Sequence, residues 1–500
     1  MKKKLTKAIA ILMCVIIACM SMSVSVFAAN KDVYTIDQLE GYAVTFVETN
    51  KSETRAFLEL GYGYDYATTT NGKDYTIFNF NEYLPAGCEE ITVYDHFVKD
   101  DLFCLLLRAY RSEWVTDGYD EWLSSVCEEQ MILTTTDFKS FTKHSLDLNV
   151  DINDYAYFDV IGDTFFYGTK EYRESGRKAY FSGVYYTTKD FVNWTKHQTP
   201  ELQAVDLYQD VYYSVAGNAL CIELYTADED RYTSSKVYAT QDFNNYTTVF
   251  GGFKKDEVTS PFFCATPVNG KILRFNDVYS SKHDTYLRSE IALVDVKTGE
   301  EKIMLEDSLN YWEYYCSDNN FCLIYEREEG DPAEIFMYNE RAMKFETEKT
   351  DYSVWDVYFE GYLGDAIFFQ KGDSICVSPS GNPAHYNEYD ISDLGVTDAD
   401  LGIIRLNGDI FVLATIWNEH KDIEQVKAAK LNISLQKNGD LNNDGIINST
   451  DALAVLMSTV DKKTLTEAEK AVADTTKDGA INSTDALMIL QYAVGKRLGI

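Results

Sequence analysis

Eight times between residues 38 and 413 the chain repeats one pattern: a short strand, a polar turn, and a longer strand rich in Phe, Leu, Ile and Val. The turns centre on Gly41, Asp100, Gly162, Gly217, Gly270, Asn319, Gly364 and Gly408, at spacings between 62 and 44 residues. A second hairpin follows each one, and four of these share a register. They run from Thr70-Asn71 to Tyr75-Thr76, from Thr136-Asp137 to Phe141-Thr142, from Lys189-Asp190 to Trp194-Thr195, and from Gln241-Asp242 to Tyr246-Thr247. The Asp or Asn bonds neighbouring backbone in the turn, and the aromatic four residues on packs back over the hairpin. Two hairpins in each unit of about 50 residues mean four strands per unit, which is the blade of a β-propeller. Residues 30–437 are therefore predicted to be an all-β propeller of four-stranded blades. Eight blades are expected, or seven if one repeat is misread.

The last sixty residues follow different rules. Asp440, Asn442, Asp444, Ile446, Asn448 and Asp451 align with Asp474, Thr476, Asp478, Ala480, Asn482 and Asp485 at a constant offset of 34. The offset persists downstream, with Val455 over Ile489 and Leu456 over Leu490. Each line is a twelve-residue loop with oxygen side chains at positions 1, 3, 5, 9 and 12, glycine at 6 (Gly445, Gly479), and a backbone carbonyl at 7. An all-oxygen donor set suits a hard cation such as calcium, and no His or Cys is present to suit zinc. Position 12 is Asp rather than the Glu of an EF-hand, so the loop must close tighter around its ion. Thr476 replaces Asn442 in the second copy, and a hydroxyl is the weaker ligand.

Two such loops ending in Asp, the Asn-Ser-Thr-Asp run in both, and an apolar helix after each make residues 438–500 resemble a type I dockerin. That resemblance implies a small helical module with two bound Ca2+. It also implies calcium-dependent docking onto a cohesin module of a cellulosomal scaffoldin. The residues matching the family's recognition positions are Ser449, Thr450, Ser483 and Thr484, with Lys462, Lys463, Lys496 and Arg497 nearby. The duplication predicts two nearly equivalent docking poses related by a half-turn.

At the other end, Lys2, Lys3, Lys4 and Lys7 precede an apolar run from Ala8 to Met20, and Val26-Phe27-Ala28 fits a cleavage site. Residues 1–29 are expected to be a secretory signal; a lipoprotein reading around Ile16-Ile17-Ala18-Cys19 competes with it. The net charge is −35, which argues against nucleic acid and anionic membrane as partners. Eight cysteines lie beyond the signal, scattered through apolar strands without a Cys-x-x-Cys pair. They read as small buried hydrophobes rather than as a metal or disulfide framework.

The run Asp190-Phe191-Val192-Asn193-Trp194-Thr195 resembles a motif of propeller glycoside hydrolases and related BNR-type repeats. Because it recurs from blade to blade, its role is structural. A glycosidase needs two facing carboxylates, and Asp95 beside His96, Asp206, Glu223, Asp277 and Asp356 lie where they could face a central channel. None is distinguished by a motif. The rival reading is a carbohydrate- or protein-binding propeller that uses exposed rings, for which Trp114, Trp122, Trp312, Trp355 and Trp417 are candidates. Secretion together with the dockerin resemblance implies a cellulosome-type subunit in the company of plant cell-wall polysaccharide degradation.

Overall fold

The computed structural model describes residues 32–497 and 499, apart from 62–64, 117–120, 147, 149–151, 153–154, 176–177, 201–207, 229–230, 253–256, 267, 281–284, 310, 317–320, 340–341, 397–400, 419–420, 422, 434 and 444–445. The expected signal segment, Asp206, Asp444 and Gly445 lie outside the described residues, as does the side chain of Trp122.

Eight four-stranded antiparallel sheets form a ring. Blade 2 shows why these residues make blades. Its second strand, Leu102–Thr116, carries seven consecutive buried residues, Phe103 to Ala109. Strand side chains alternate between faces. Accordingly Phe103, Leu105 and Leu107 pack with Phe57 and Tyr66 of blade 1, while Cys104 and Leu106 pack with Phe158 and Tyr167 of blade 3. A sheet covered on both faces needs a continuous apolar run, not an alternating one. One apolar cluster fills each junction between neighbouring blades. The cluster that closes the ring joins Ile404, Leu406, Phe411 and Leu413 of blade 8 to Ala56, Leu58 and Leu60 of blade 1.

The N-terminal strand Asp32–Thr35 completes blade 8 from outside. It pairs antiparallel with Ile423–Leu431, Asp32 opposite Lys430. Blade 8 is otherwise built from Leu401–Leu406, Asp409–Asn418 and Ile423–Leu431. This closure corrects one expected turn. Gly41 is not the first hairpin of a blade; its N–H donates to Glu424 O of blade 8 at 2.9 Å, so it belongs to the link from the closing strand. The true turn of blade 1 joins Val44–Thr49 to Ala56–Leu60, with Glu53 in the left-handed region at φ 55°. The turns at Asp100, Gly162, Gly217, Gly364 and Gly408 do join first to second strands as expected.

The four shared hairpins have one chemistry. Asp137 Oδ1 accepts the N–H groups of Lys139 and Ser140 at 2.9 and 3.0 Å, and Asn71, Asp190 and Asp242 do the same in their own blades. The next residue is left-handed: Phe138, Phe191 and Phe243 have φ 53°, 58° and 60°. In blade 1 that residue is Gly72, where a Cβ would lie 2.7 Å from the Phe411 ring of blade 8. Gly299 is a stricter case, at φ 74° with its Cβ position 2.3 Å from Thr248 O. Gly299→Ala is expected to cost on the order of 2 kcal/mol, read as a lowered denaturation midpoint with an unchanged m-value.

Cys88, Cys104, Cys127, Cys221, Cys264, Cys322 and Cys376 are free thiols, all buried but the half-buried Cys88. After the propeller come helices α1 (Ser449–Thr459), α2 (Glu467–Ala473) and α3 (Ser483–Ala493). The duplication predicted α1 and α3. The short α2 between them was missed, although Thr466 and Glu469 form a capping box visible in the sequence.

Candidate functional site

The two loops are built alike. Asp451 Oδ1 accepts Leu441 N at 2.9 Å and Asn442 N at 3.3 Å, and its Oδ2 accepts Asn448 N at 2.9 Å. Asp485 repeats this on Thr476 N at 3.0 Å and Asn482 N at 2.8 Å. Asn448 and Asn482 cap their helices through Thr450 N and Thr484 N, both at 2.7 Å. Their amides reach the position-7 carbonyls of Ile446 and Ala480 at 3.1 and 2.9 Å. The Thr476 hydroxyl lies between the carboxylates of Asp474 and Asp485, 3.3 and 2.9 Å away. Asp440, Asp451 and Asp485 are buried, and among the described residues no lysine or arginine pairs with Asp451 or Asp485. Buried carboxylates without a described cationic partner, in loops whose donor side chains are all oxygen, suit a divalent cation in their chemistry, although among the described residues no three acids are gathered in one cluster.

The helices after these loops share a ten-residue apolar core that includes Leu441, Val455, Leu465, Ile489 and Tyr492. Their outer faces are not covered. Leu453, Leu456 and Val460 on α1 are 54%, 38% and 59% exposed; Leu487, Leu490 and Val494 on α3 are 53%, 37% and 63% exposed. Ser449, Thr450, Ser483 and Thr484 are exposed at the head of each stripe. The apolar stripes were missed from sequence, although the 34-residue offset carries them too. The basic pairs are less alike. Lys462 and Lys496 are exposed, whereas Lys463 is tied to Glu469 at 2.6 Å and Arg497 is half-buried beside Glu348 of the propeller.

The helical module rests on the ring. Ile433 and Leu435 of the connection pack on the core of blades 7 and 8, and Lys437 pairs with Asp365 at 2.9 Å. Lys477, in the second loop, donates to Tyr386 O at 2.6 Å, and burial lowers its pKa. Asn339 Nδ2 reaches the carbonyls of Gly495 and Arg497 at 3.5 and 3.3 Å. Its contacts use the second loop and the segment after α3, and they leave both stripes open.

The acids singled out in the propeller do not form one site. Asp95 and His96 lie on the first strand of blade 2, Glu90–Lys99. Glu223 takes the Ser235 hydroxyl at 2.6 Å within blade 4, Asp277 takes that of Ser289 in blade 5, and Asp356 caps a 3-10 turn before blade 7. Asp159 of blade 3 lies near both Asp95 and Glu48 of blade 1, and Glu48 lies against His96; Glu48 and Asp159 are both on first strands and both missed. Asp95 Oδ2 accepts Phe158 N from the next blade at 3.0 Å, and Glu360 accepts Leu401 N of blade 8 at 2.8 Å. These acids staple neighbouring first strands together.

Burial pushes the Glu48 carboxyl up to about 7 and Asp95 up to about 6, with the nearby Asp159 charge adding to both. Burial holds His96 down to about 4, so its 3.7 Å contact with Glu48 is not an ion pair at neutral pH. A carboxyl raised in the folded state keeps more protons than the unfolded chain. Its contribution to stability is therefore full below the unfolded pKa and is lost as pH rises through the folded one. Glu48→Gln should match the parent at pH 4.5 and exceed it at pH 8, by on the order of 1 kcal/mol, in thermal melts at the two pH values.

A cavity of about 420 Å³ opens between blades 4 and 5. Arg274 crosses it from Phe250, 5.2 Å from the ring, to Glu301 at 2.9 Å. Among the described residues no helix is long and apolar enough to cross a membrane.

Residues 438–492 match the family described as Dockerin type I domain. No curated protein matches the chain. Among solved structures, an ancestral GH74 enzyme is 12% identical at a TM-score of 0.34, over 78% of this chain and 57% of its own length. The WD40 domain of SCAP from fission yeast is 8% identical at 0.34, over 81% of this chain and 92% of that one. A Penicillium chrysogenum α-L-arabinanase is 9% identical at 0.24, over 66% and 90%. This chain thus spans little more than half the length of the ancestral GH74 enzyme. The helical module at residues 438–492 is a type I dockerin domain, and it follows an eight-bladed β-propeller.

Proposed function

We propose that this protein is a secreted, cellulosome-type subunit. Its dockerin, held by two Ca2+, docks onto a cohesin of a scaffoldin, and its propeller faces plant cell-wall polysaccharide. The observation that carries the docking reading is the pair of equally exposed stripes, Leu453-Leu456-Val460 and Leu487-Leu490-Val494, each headed by Ser-Thr. Six apolar side chains held in water on a small helical pair call for a partner surface. The metal ligands proposed are Asp440, Asn442, Asp444, Ile446 O, Asn448 and Asp451, with Asp474, Thr476, Asp478, Ala480 O, Asn482 and Asp485. The buried carboxylates of Asp451 and Asp485, which pair with no lysine or arginine among the described residues, support that assignment.

Calorimetric titration with a matching cohesin tests the docking. The double variant Leu453→Asp, Leu487→Asp should lose binding altogether while keeping calcium-dependent helicity; full binding by that variant would refute the proposed surface.

For the propeller, two observations pull apart. The raised Glu48 and Asp95 carboxyls titrate where a general acid works, which favours a glycoside hydrolase. The use of Asp95 and Glu360 as staples between blades favours a non-catalytic binder. A glycan panel read for both retention and product release separates them, since release selects the hydrolase and retention without turnover selects the binder.

A further inference from the structure

Three exposed tryptophans of the propeller, Trp114, Trp355 and Trp417, lie on one face. In each blade the start of the first strand and the end of the second lie together. Trp417 sits beyond Ala414, the partner of Leu401 at the start of blade 8. Trp114 sits beyond Tyr110, the partner of Glu90 at the start of blade 2. Trp355 directly precedes the first strand of blade 7, Tyr358–Leu363. Their exposures are 57%, 70% and 55%. The opposite face, which carries the turns between third and fourth strands, exposes Val192 and Met343 but none of these indoles.

Trp355 is more than an exposed ring. Its indole N–H donates to Glu326 Oε1 at 2.7 Å, and the Ser353 hydroxyl donates to the other oxygen of the same carboxylate at 3.0 Å. Glu326 is fully buried. Ser353 and Asp356 also form a capping box around the turn that carries the indole. The one polar atom of the ring is thus engaged inward and the ring is fixed, while its apolar surface stays in water. Tyr358, three residues on at the start of the first strand, is 51% exposed, and Tyr362 further along the same strand is 48% exposed. A fixed ring whose hydrogen bond is already made has little ordering left to lose on binding. Its remaining surface suits the C–H face of a pyranose.

We infer that Trp355 and Tyr358 form an anchored platform for a neutral polysaccharide chain, which runs across the tryptophan-bearing face of the propeller. Neutrality follows from charge. The chain carries −35, and Asp351 and Asp356 flank Trp355 as exposed acids, so a polyuronate is repelled. This inference deepens the polysaccharide reading of the propeller and rests on it.

The test uses the full chain in affinity electrophoresis through cellulose derivative, xylan and glucomannan, with polygalacturonate as the anionic control. The protein should be retarded by at least one neutral polymer and not by polygalacturonate. Trp355→Ala and Tyr358→Ala should each weaken retardation at least fivefold, Trp417→Ala should weaken it as well, and Met343→Ala on the opposite face should leave it unchanged. Trp417→Ala keeps the test open should loss of the Glu326 anchor unfold the Trp355 variant, which its thermal midpoint reveals. Equal retardation of the parent and the Tyr358 and Trp417 variants overturns the inference. So does retardation by polygalacturonate alone, or by no polymer. Cohesin binding is measured on the same samples, so a propeller that fails here while the dockerin binds leaves the docking reading standing.

Discussion

Excess chelator should abolish the helical signal of residues 440–497 and leave the β-sheet signal of the propeller in place. The reason is the size of the two cores. The dockerin shares ten buried apolar residues between three short helices, and a module of about 60 residues with so little core is marginal alone. Each blade junction of the propeller is filled separately by its own apolar cluster. Within the dockerin, Asp451 and Asp485 are buried carboxylates whose described partners are N–H and hydroxyl groups. Without a cation the burial of those charges opposes folding. At free calcium of about one hundred times Kd, each site adds roughly 2.7 kcal/mol, so two sites decide whether this module folds. Calorimetry of the full chain should show a low-temperature transition that rises with calcium and vanishes with chelator. Asp440→Ala should depress it more than Thr476→Ala, because it removes a charged ligand. A transition indifferent to chelator would mean that the apolar core and the propeller contacts suffice.

The contacts with the propeller give that experiment a second reading. Lys477 reaches Tyr386 from inside the second loop, while its counterpart in the first loop, Asn443, is exposed. The two loops are thus close copies in sequence and unequal in surroundings. On the proposed ligand set Thr476 makes the second loop the poorer, yet the second loop is the one braced by blade 7.

Most of the ring was legible because its signals are local. A turn needs a residue that tolerates the left-handed region, and a doubly covered strand needs an unbroken apolar run such as Phe103 to Leu107; both are written within a few residues. Blade 1 escaped because its turn uses Glu53 at φ 55° instead of glycine, while Gly41 offered a turn signal nearby. The closing strand escaped because Asp32 and Lys430 meet only through the completed ring. The first-strand acids were hidden by number. With 80 Asp and Glu in the chain, composition cannot show that Asp95 holds Phe158 N across a blade junction. The anchor of Trp355 was hidden likewise, since Glu326 lies on a different blade. In the dockerin the reverse held. A fixed offset of 34 residues named both loops and both helices. It missed the exposure of the two apolar stripes, and it missed what breaks the symmetry: α2 between the copies, the Lys463–Glu469 pair, and the half-buried Arg497 against the propeller.

Replacing Ser449 and Thr450 alone should change cohesin affinity only about twofold, whereas replacing Ser483 and Thr484 as well should remove the full contribution of one face. Each face carries the same four groups at nearly the same exposure, Ser449, Thr450, Leu453 and Leu456 against Ser483, Thr484, Leu487 and Leu490. A partner that reads one face by hydrogen bonds can read the other after a half-turn of the module. Two such bonds, at about 0.5–1.5 kcal/mol each, amount to roughly 5- to 140-fold in Kd. Losing one of two equal poses costs only the statistical factor of about two. The propeller leaves both stripes open, so this symmetry should survive in the full chain. The unequal ends of α1 and α3 set its limit. Lys462 stands free of the propeller, while Arg497 lies against Glu348, so a partner that leans on the basic ends will favour one pose. A calorimetric series on the single-face and double-face variants decides. Near-equal single-face affinities with a collapsed double variant establish two poses; a large loss from one face alone establishes a single pose and makes the duplication structural only.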